Sequence, residues 1–157
     1  MDRQKTLLFL IFFFFIVLIS CDNTRVFDES ISISENGWDY NKSVKLETEI
    51  MDTTSLHNFY INIRNSTDYS YSNIYLFVKT VFPNGRVSRD TVQAILANKE
   101  GNWIGKGSGK IRDNQILISK NFRFPYQGMY VFEIEQAMRE KTLLGIKDIG
   151  IRIEKQL

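Results

Sequence analysis

The chain has 157 residues, 43% hydrophobic and 13% aromatic, with 20 Lys and Arg against 18 Asp and Glu, one histidine and one cysteine. A formal net charge of +2 without a basic stripe gives no electrostatic footprint for nucleic acid and no polybasic membrane patch. One histidine and one cysteine cannot build a zinc centre within the chain, so no metal and no cofactor is expected.

The chain opens with Arg3 and Lys5, followed by an unbroken apolar segment from Leu7 to Ile19 that contains four consecutive phenylalanines. Its 13 residues fit a signal-peptide h-region better than a membrane span, which needs about 20. Leu18-Ile19-Ser20-Cys21 then reads as a lipobox, where a branched apolar residue and a small residue precede the cysteine that is lipidated and becomes the new N-terminus. Only a thiol forms the diacylglyceryl thioether. The alternative is an uncleaved N-terminal anchor in which the cysteine plays no part. On the lipobox reading residues 1–20 are a signal peptide, 21–28 the lipidated N-terminus and a short tether, and 29–157 one folded domain. Cleavage leaves 137 residues, enough for a real core, with a near-neutral balance of charge. With Cys21 committed to lipid there is no disulfide, and the domain must hold by packing alone.

Beyond the tether the pattern has a period of two, which is the strand signal. Ile31 and Ile33 alternate with serines, and Val44, Leu46, Thr48 and Ile50 alternate with Lys45, Glu47 and Glu49. Phe59, Ile61 and Ile63 repeat the pattern against Tyr60, Asn62 and Arg64. Ile74-Tyr75-Leu76-Phe77-Val78 is apolar throughout and predicts a central strand covered on both faces. Pro83-Asn84-Gly85 is the strongest turn signal and joins Tyr71–Phe82 to Val87–Leu96 as a hairpin. After a polar connector, Trp103–Ile111 and Gln115–Phe124 form a second hairpin around Asp113-Asn114, closed by Pro125 and Gly128. Tyr130, Phe132 and Ile134 point inward. Gln136 to Lys141 is the one run of good helix formers, with Gly145 placed as its cap, and predicts about two turns of helix. Ile149, Ile151 and Ile153 mark a last strand. The fold class is therefore all-β, an antiparallel sandwich of about eight strands with one short helix.

The inventory argues against catalysis. A Ser/His/Asp triad would have to use His57, which reads as a surface or strand-edge residue, and there is no G-x-S-x-G elbow. The glycines of Gly105-Lys106-Gly107-Ser108-Gly109 match neither the P-loop nor the dinucleotide fingerprint and mark a place where a ring, with Trp103 the best candidate, lies close. Glu47, Glu49, Glu133 and Glu135 read as a solvated strand face rather than a glycosidase pair. No small-molecule substrate is expected. Tyr69, Tyr71, Trp103 and Tyr126 fall at turns or strand ends, where they close the sandwich or make contacts with carbohydrate or protein.

Taken together, Cys21 after the leader, Phe59-Tyr60-Ile61-Asn62-Ile63-Arg64, Phe82-Pro83-Asn84-Gly85, Gly101-Asn102-Trp103-Ile104-Gly105, Phe124-Pro125-Tyr126-Gln127-Gly128 and Gly145-Ile146-Lys147-Asp148 resemble, in order and spacing, the GldH family of gliding motility lipoproteins of Bacteroidetes. The resemblance implies a lipid-anchored cell-envelope protein needed for gliding and linked to type IX secretion, with membrane and envelope proteins as partners and no catalytic residue. The runner-up is a lipid-anchored module for surface polysaccharide, and a hydrolase is the third reading. Trp103, Arg139 and Tyr126 are the expected partner-binding residues. Asp52-Thr53-Thr54 and Asp90-Thr91-Val92 fit the short pattern on which exported proteins of these bacteria are O-glycosylated, which marks Thr53 and Thr91.

Overall fold

A computed structural model of the chain describes residues 24–156, so the leader and Cys21 lie outside the described residues. Ten strands follow in order: β1 Arg25–Ser32, β2 Trp38–Asp39, β3 Val44–Ile50, β4 His57–Ser66, β5 Asn73–Val81, β6 Val87–Ile95, β7 Ile111–Phe122, β8 Gly128–Gln136, β9 Thr142–Leu143 and β10 Ile146–Lys155. Two four-stranded antiparallel sheets, ordered β1-β10-β4-β7 and β3-β8-β5-β6, pack face to face, and β2 with β9 forms a small ribbon.

Alternation in the sequence decides which face meets the partner sheet. Along β4 the side chains of Phe59, Ile61 and Ile63 are buried, and the register sets Ile61 beside Ile151 and Ile63 beside Ile149 of β10. From the other sheet Ile74, Leu76 and Val78 of β5 and Tyr130, Phe132 and Ile134 of β8 complete the core. Each such side chain contributes roughly 1.5–3 kcal/mol on burial, an upper bound for a compact denatured state, which lets packing replace a disulfide.

The Pro83 hairpin forms as expected, with Phe82 N–H donating to Arg86 O at 2.8 Å and Gly85 N–H to Phe82 O at 2.9 Å. Other expectations are corrected. β1 begins at Arg25, inside the segment assigned to the tether, because Phe27 is buried and Arg25 to Asp28 pair with β10. β5 is central in its sheet but covered on one face only, since Tyr75 is exposed and the outward Phe77 ring lies 4.5 Å beneath the Arg89 guanidinium. Asp113 and Asn114 make no turn and lie within β7, while the chain reverses at Gly107–Gly109, inside a bridge between Lys106 and Asp113.

No helix exists among the described residues, and Gln136 is the reason. It ends β8 opposite Leu76, its Oε1 accepts from Met138 N–H at 2.8 Å and its amide donates to Glu140 O at 2.7 Å. Those bonds fix 137–141 as a bent loop, and tertiary pairing overrides a weak propensity. Gly145 is likewise no helix cap. It holds a φ of 87° where Tyr69 packs on it, and a Cβ there would stand 2.8 Å from Tyr69 Cα.

Candidate functional site

The sandwich has two ends of different character. At the first, Lys155 N–H donates to Thr24 O at 2.7 Å and Gln156 N–H to Leu56 O at 2.8 Å, so the start of the described chain lies beside the β3–β4 loop. Gln127 Nε2 reaches Met51 O at 2.9 Å, Arg123 Nε reaches Thr54 O at 2.8 Å, and the Phe82 and Tyr126 rings stand 6.4 Å apart. This end therefore gathers the loops 51–56, 82–86 and 123–127. Lys155 Nζ pairs with Asp52 at 2.8 Å, and that hydrogen bond together with those from Ser55 and Thr54 holds the Asp52 carboxyl far below the usual carboxylate range.

His57 sits just inside the same end and is not the surface residue its sequence position suggested. It is fully buried, with the Phe124 ring centroid at 5.2 Å and Phe122 at 6.2 Å. Neither ring nitrogen has a hydrogen-bond partner among the described residues. Burial lowers its pKa below the usual 6.5, opposed by the nearby Asp52 charge and the Ser55 backbone. Beside it an apolar cleft of about 770 Å³, lined in part by Phe59, Phe82, Phe122, Phe124 and Phe132, runs between the edge strands β6 and β7.

The opposite end carries Trp103 and Arg139, while Tyr126 belongs to the first end, so the three residues expected to bind a partner do not form one site. Trp103 is half-buried against the core, bridged to Ala97 and 6.5 Å from the Tyr69 ring. It does not cover the glycines: a Cβ on Gly105 would fall 2.6 Å from Asn114 Oδ1, so the amide of Asn114 is what lies close. Arg139 is exposed, near Tyr71, whose hydroxyl donates to Glu140 at 2.6 Å. Sequence reading missed Leu144, 63% exposed, and Tyr40 and Ile104 on the same end. Leu144 could have been found as an apolar residue beside a turn glycine and out of step with strand alternation.

The outer face of the β1-β10-β4-β7 sheet carries a trough of about 620 Å³ lined by Asn62, Arg64, Asp113, Gln115 and Asp148 together with Ile104 and Ile116. Arg64 bridges Asp113 at 3.1 Å and Asp148 at 3.2 Å. The glutamates are a solvated face: Lys79 pairs with Glu133 at 2.9 Å and Arg89 with Glu135 at 3.1 Å. Thr53 is half-buried in the β3–β4 loop and Thr91 is exposed on the outer face of β6, opposite Phe77. No cluster of three His, Cys, Asp or Glu able to hold a metal occurs among the described residues.

The fold is an antiparallel β-sandwich whose first strand begins at Arg25, and its relatives give the class of protein, a lipoprotein of the cell envelope. The family model described as GldH lipoprotein matches residues 25–153. A gliding motility lipoprotein GldH homolog from Christiangramia forsetii is 37% identical, with 98% of both chains aligned. Gliding motility lipoprotein GldH from Flavobacterium johnsoniae is 32% identical over 90% of this chain and 91% of its own. The chain belongs to the GldH lipoprotein family. Among solved structures, an uncharacterized protein of Listeria monocytogenes aligns over 85% of this chain and 11% of its own at a TM-score of 0.32 and 12% identity.

Proposed function

We propose that this gliding motility lipoprotein is held in the membrane through lipid on Cys21 and acts without catalysis, as an assembly or stabilising component of the gliding apparatus linked to type IX secretion. The observation that carries the reading is the end opposite Thr24. There Tyr40, Tyr71, Ile104 and Leu144 are exposed together with Arg139, and aromatic, large apolar and arginine side chains are the ones that anchor protein interfaces. Crosslinking on intact cells followed by copurification tests it. Recovery of gliding or secretion envelope proteins is the expected result, and a protein recovered alone from gliding cells ends the proposal. Replacing Cys21 with serine should abolish incorporation of a fatty-acid analogue, and equal label in the variant would exclude Cys21 as the attachment site.

The trough on the outer sheet face supports the second reading, a polysaccharide module, because amides and charged side chains lining a shallow groove can bind hydroxyls. A glycan array separates the two readings, since binding that is lost in Asn62→Ala and Gln115→Ala favours the trough. Thr91 is the better placed of the two glycan acceptors because it is exposed on an edge strand, and a glycan mass lost in Thr91→Ala would locate it.

A further inference from the structure

Beyond the lipid itself, we infer that the Thr24 end of the sandwich docks on the bilayer surface, its apolar loop residues in the interface and its basic residues against anionic headgroups. The inference needs Cys21 as the attachment point but not the assembly reading. Thr24 lies three residue steps from Cys21, a reach of about 10 Å, whereas a ten-residue strand such as β10 spans about 33 Å. The lipid therefore holds the Thr24 end at the membrane and the Leu144 end away from it.

The side chains presented there fit an interface. Met51 is 64% and Met129 50% exposed, Tyr126 and Val87 are exposed with them, and Pro83 and Pro125 flank them in adjoining turns. Met51, Pro83, Pro125 and Tyr126 stand on loops, Val87 and Met129 at the starts of β6 and β8, and exposed methionine, tyrosine and proline there suit the boundary between headgroup and acyl chain. Arg25, Arg86, Lys120 and Arg123 are exposed around the same end. Of the carboxylates there, Asp52 is paired with Lys155 and Glu154 with Arg152, while Glu49 is exposed on β3. No run of basic residues exists in the sequence. The fold assembles the patch from three separate segments, β1, the β5–β6 turn and the end of β7.

The test uses the lipidated full chain reconstituted into vesicles. With the Cys21 sulfur in lipid, a cysteine placed by Met51→Cys, Tyr126→Cys or Leu144→Cys is the one free thiol and takes an environment-sensitive fluorophore. Retention on vesicles reads the anchor, and the fluorophore reads the docking. In vesicles of phosphatidylcholine and phosphatidylglycerol, labels at 51 and 126 should shift to the blue and be quenched several-fold more by doxyl-labelled lipid than by iodide, with the reverse at 144. The variant Arg86→Glu with Arg123→Glu should weaken the lipid quenching in these vesicles while remaining anchored. Retained protein whose labels at 51 and 126 are as open to iodide as that at 144 overturns the inference. Equal quenching in vesicles of phosphatidylcholine alone removes the basic residues from it.

Discussion

The amide of Asn114 donates to Asn65 Oδ1 at 2.8 Å, and both side chains are buried between β4 and β7. The same amide reaches Ile63 O at 3.1 Å, and Gly105 packs against its oxygen side. A residue with turn chemistry has become a strut that ties the 101–110 loop and two strands together.

Asn114→Ala should destabilise the domain by about 1–3 kcal/mol, because it leaves the Asn65 carbonyl buried without its donor. Asn114→Asp should cost more, since a carboxylate would face two acceptors. Gly105→Ala should destabilise as well, its Cβ falling on Asn114. Denaturant midpoints check all three, and a wild-type midpoint for Asn114→Asp would refute the strut.

His57 predicts a pH dependence. Its folded pKa lies below the unfolded value of 6.5, so as the pH falls through about 6.5 the unfolded chain binds a proton that the folded chain does not. Stability is therefore complete above that value and declines below it. Asp52 has the lowered pKa of a paired carboxylate, so its contribution is present above about pH 3.9 and is lost below it. The charges facing His57 are Asp52 and Lys155. In His57→Leu the fall in denaturant midpoint between about pH 7 and pH 5 should shrink while the fall below about pH 4 remains. An undiminished fall between pH 7 and pH 5 would place its origin elsewhere.

How much of this was legible follows from which forces act locally. β3, β4, β8 and β10 could be read because one face is wet and the other packed, which writes a period of two into the sequence. β5 misled because Phe77 faces out beneath Arg89, a partner supplied by β6 that no local pattern names. The 136–141 segment misled because Gln136 uses its side chain to bind the loop, and Asp113-Asn114 because pairing with β4 set the register. For the site, single exposed residues such as Leu144 and Met51 carry no period, and only the fold shows that they lie at opposite ends.

Leu76 has no exposed surface and sits at the centre of the β3-β8-β5-β6 sheet. Leu76→Asp buries an unpaired carboxylate and should cost several kcal/mol, enough to unfold a domain with about 5–15 kcal/mol in hand. Melting followed by far-UV circular dichroism checks it, and an unchanged transition would contradict the packing.

The last prediction separates stability from function at the end away from the lipid. Trp103 and Arg139 share that end but not their environment, so their variants should fail differently. The half-buried indole of Trp103 packs on the core and lies near Tyr69, so Trp103→Ala removes that packing and should cost about 1–3 kcal/mol, lowering the amount of protein in the cell. Arg139 and Leu144 are exposed, and surface changes usually stay within about 0.5 kcal/mol, so Arg139→Glu with Leu144→Glu should melt as the wild type does. If this end is the interface, that double variant is lipidated and abundant, yet gliding is impaired and the copurified envelope proteins are lost. The converse pattern, in which the folded double variant glides normally and Trp103→Ala fails only in proportion to its abundance, would show that the contact surface lies elsewhere on the sandwich.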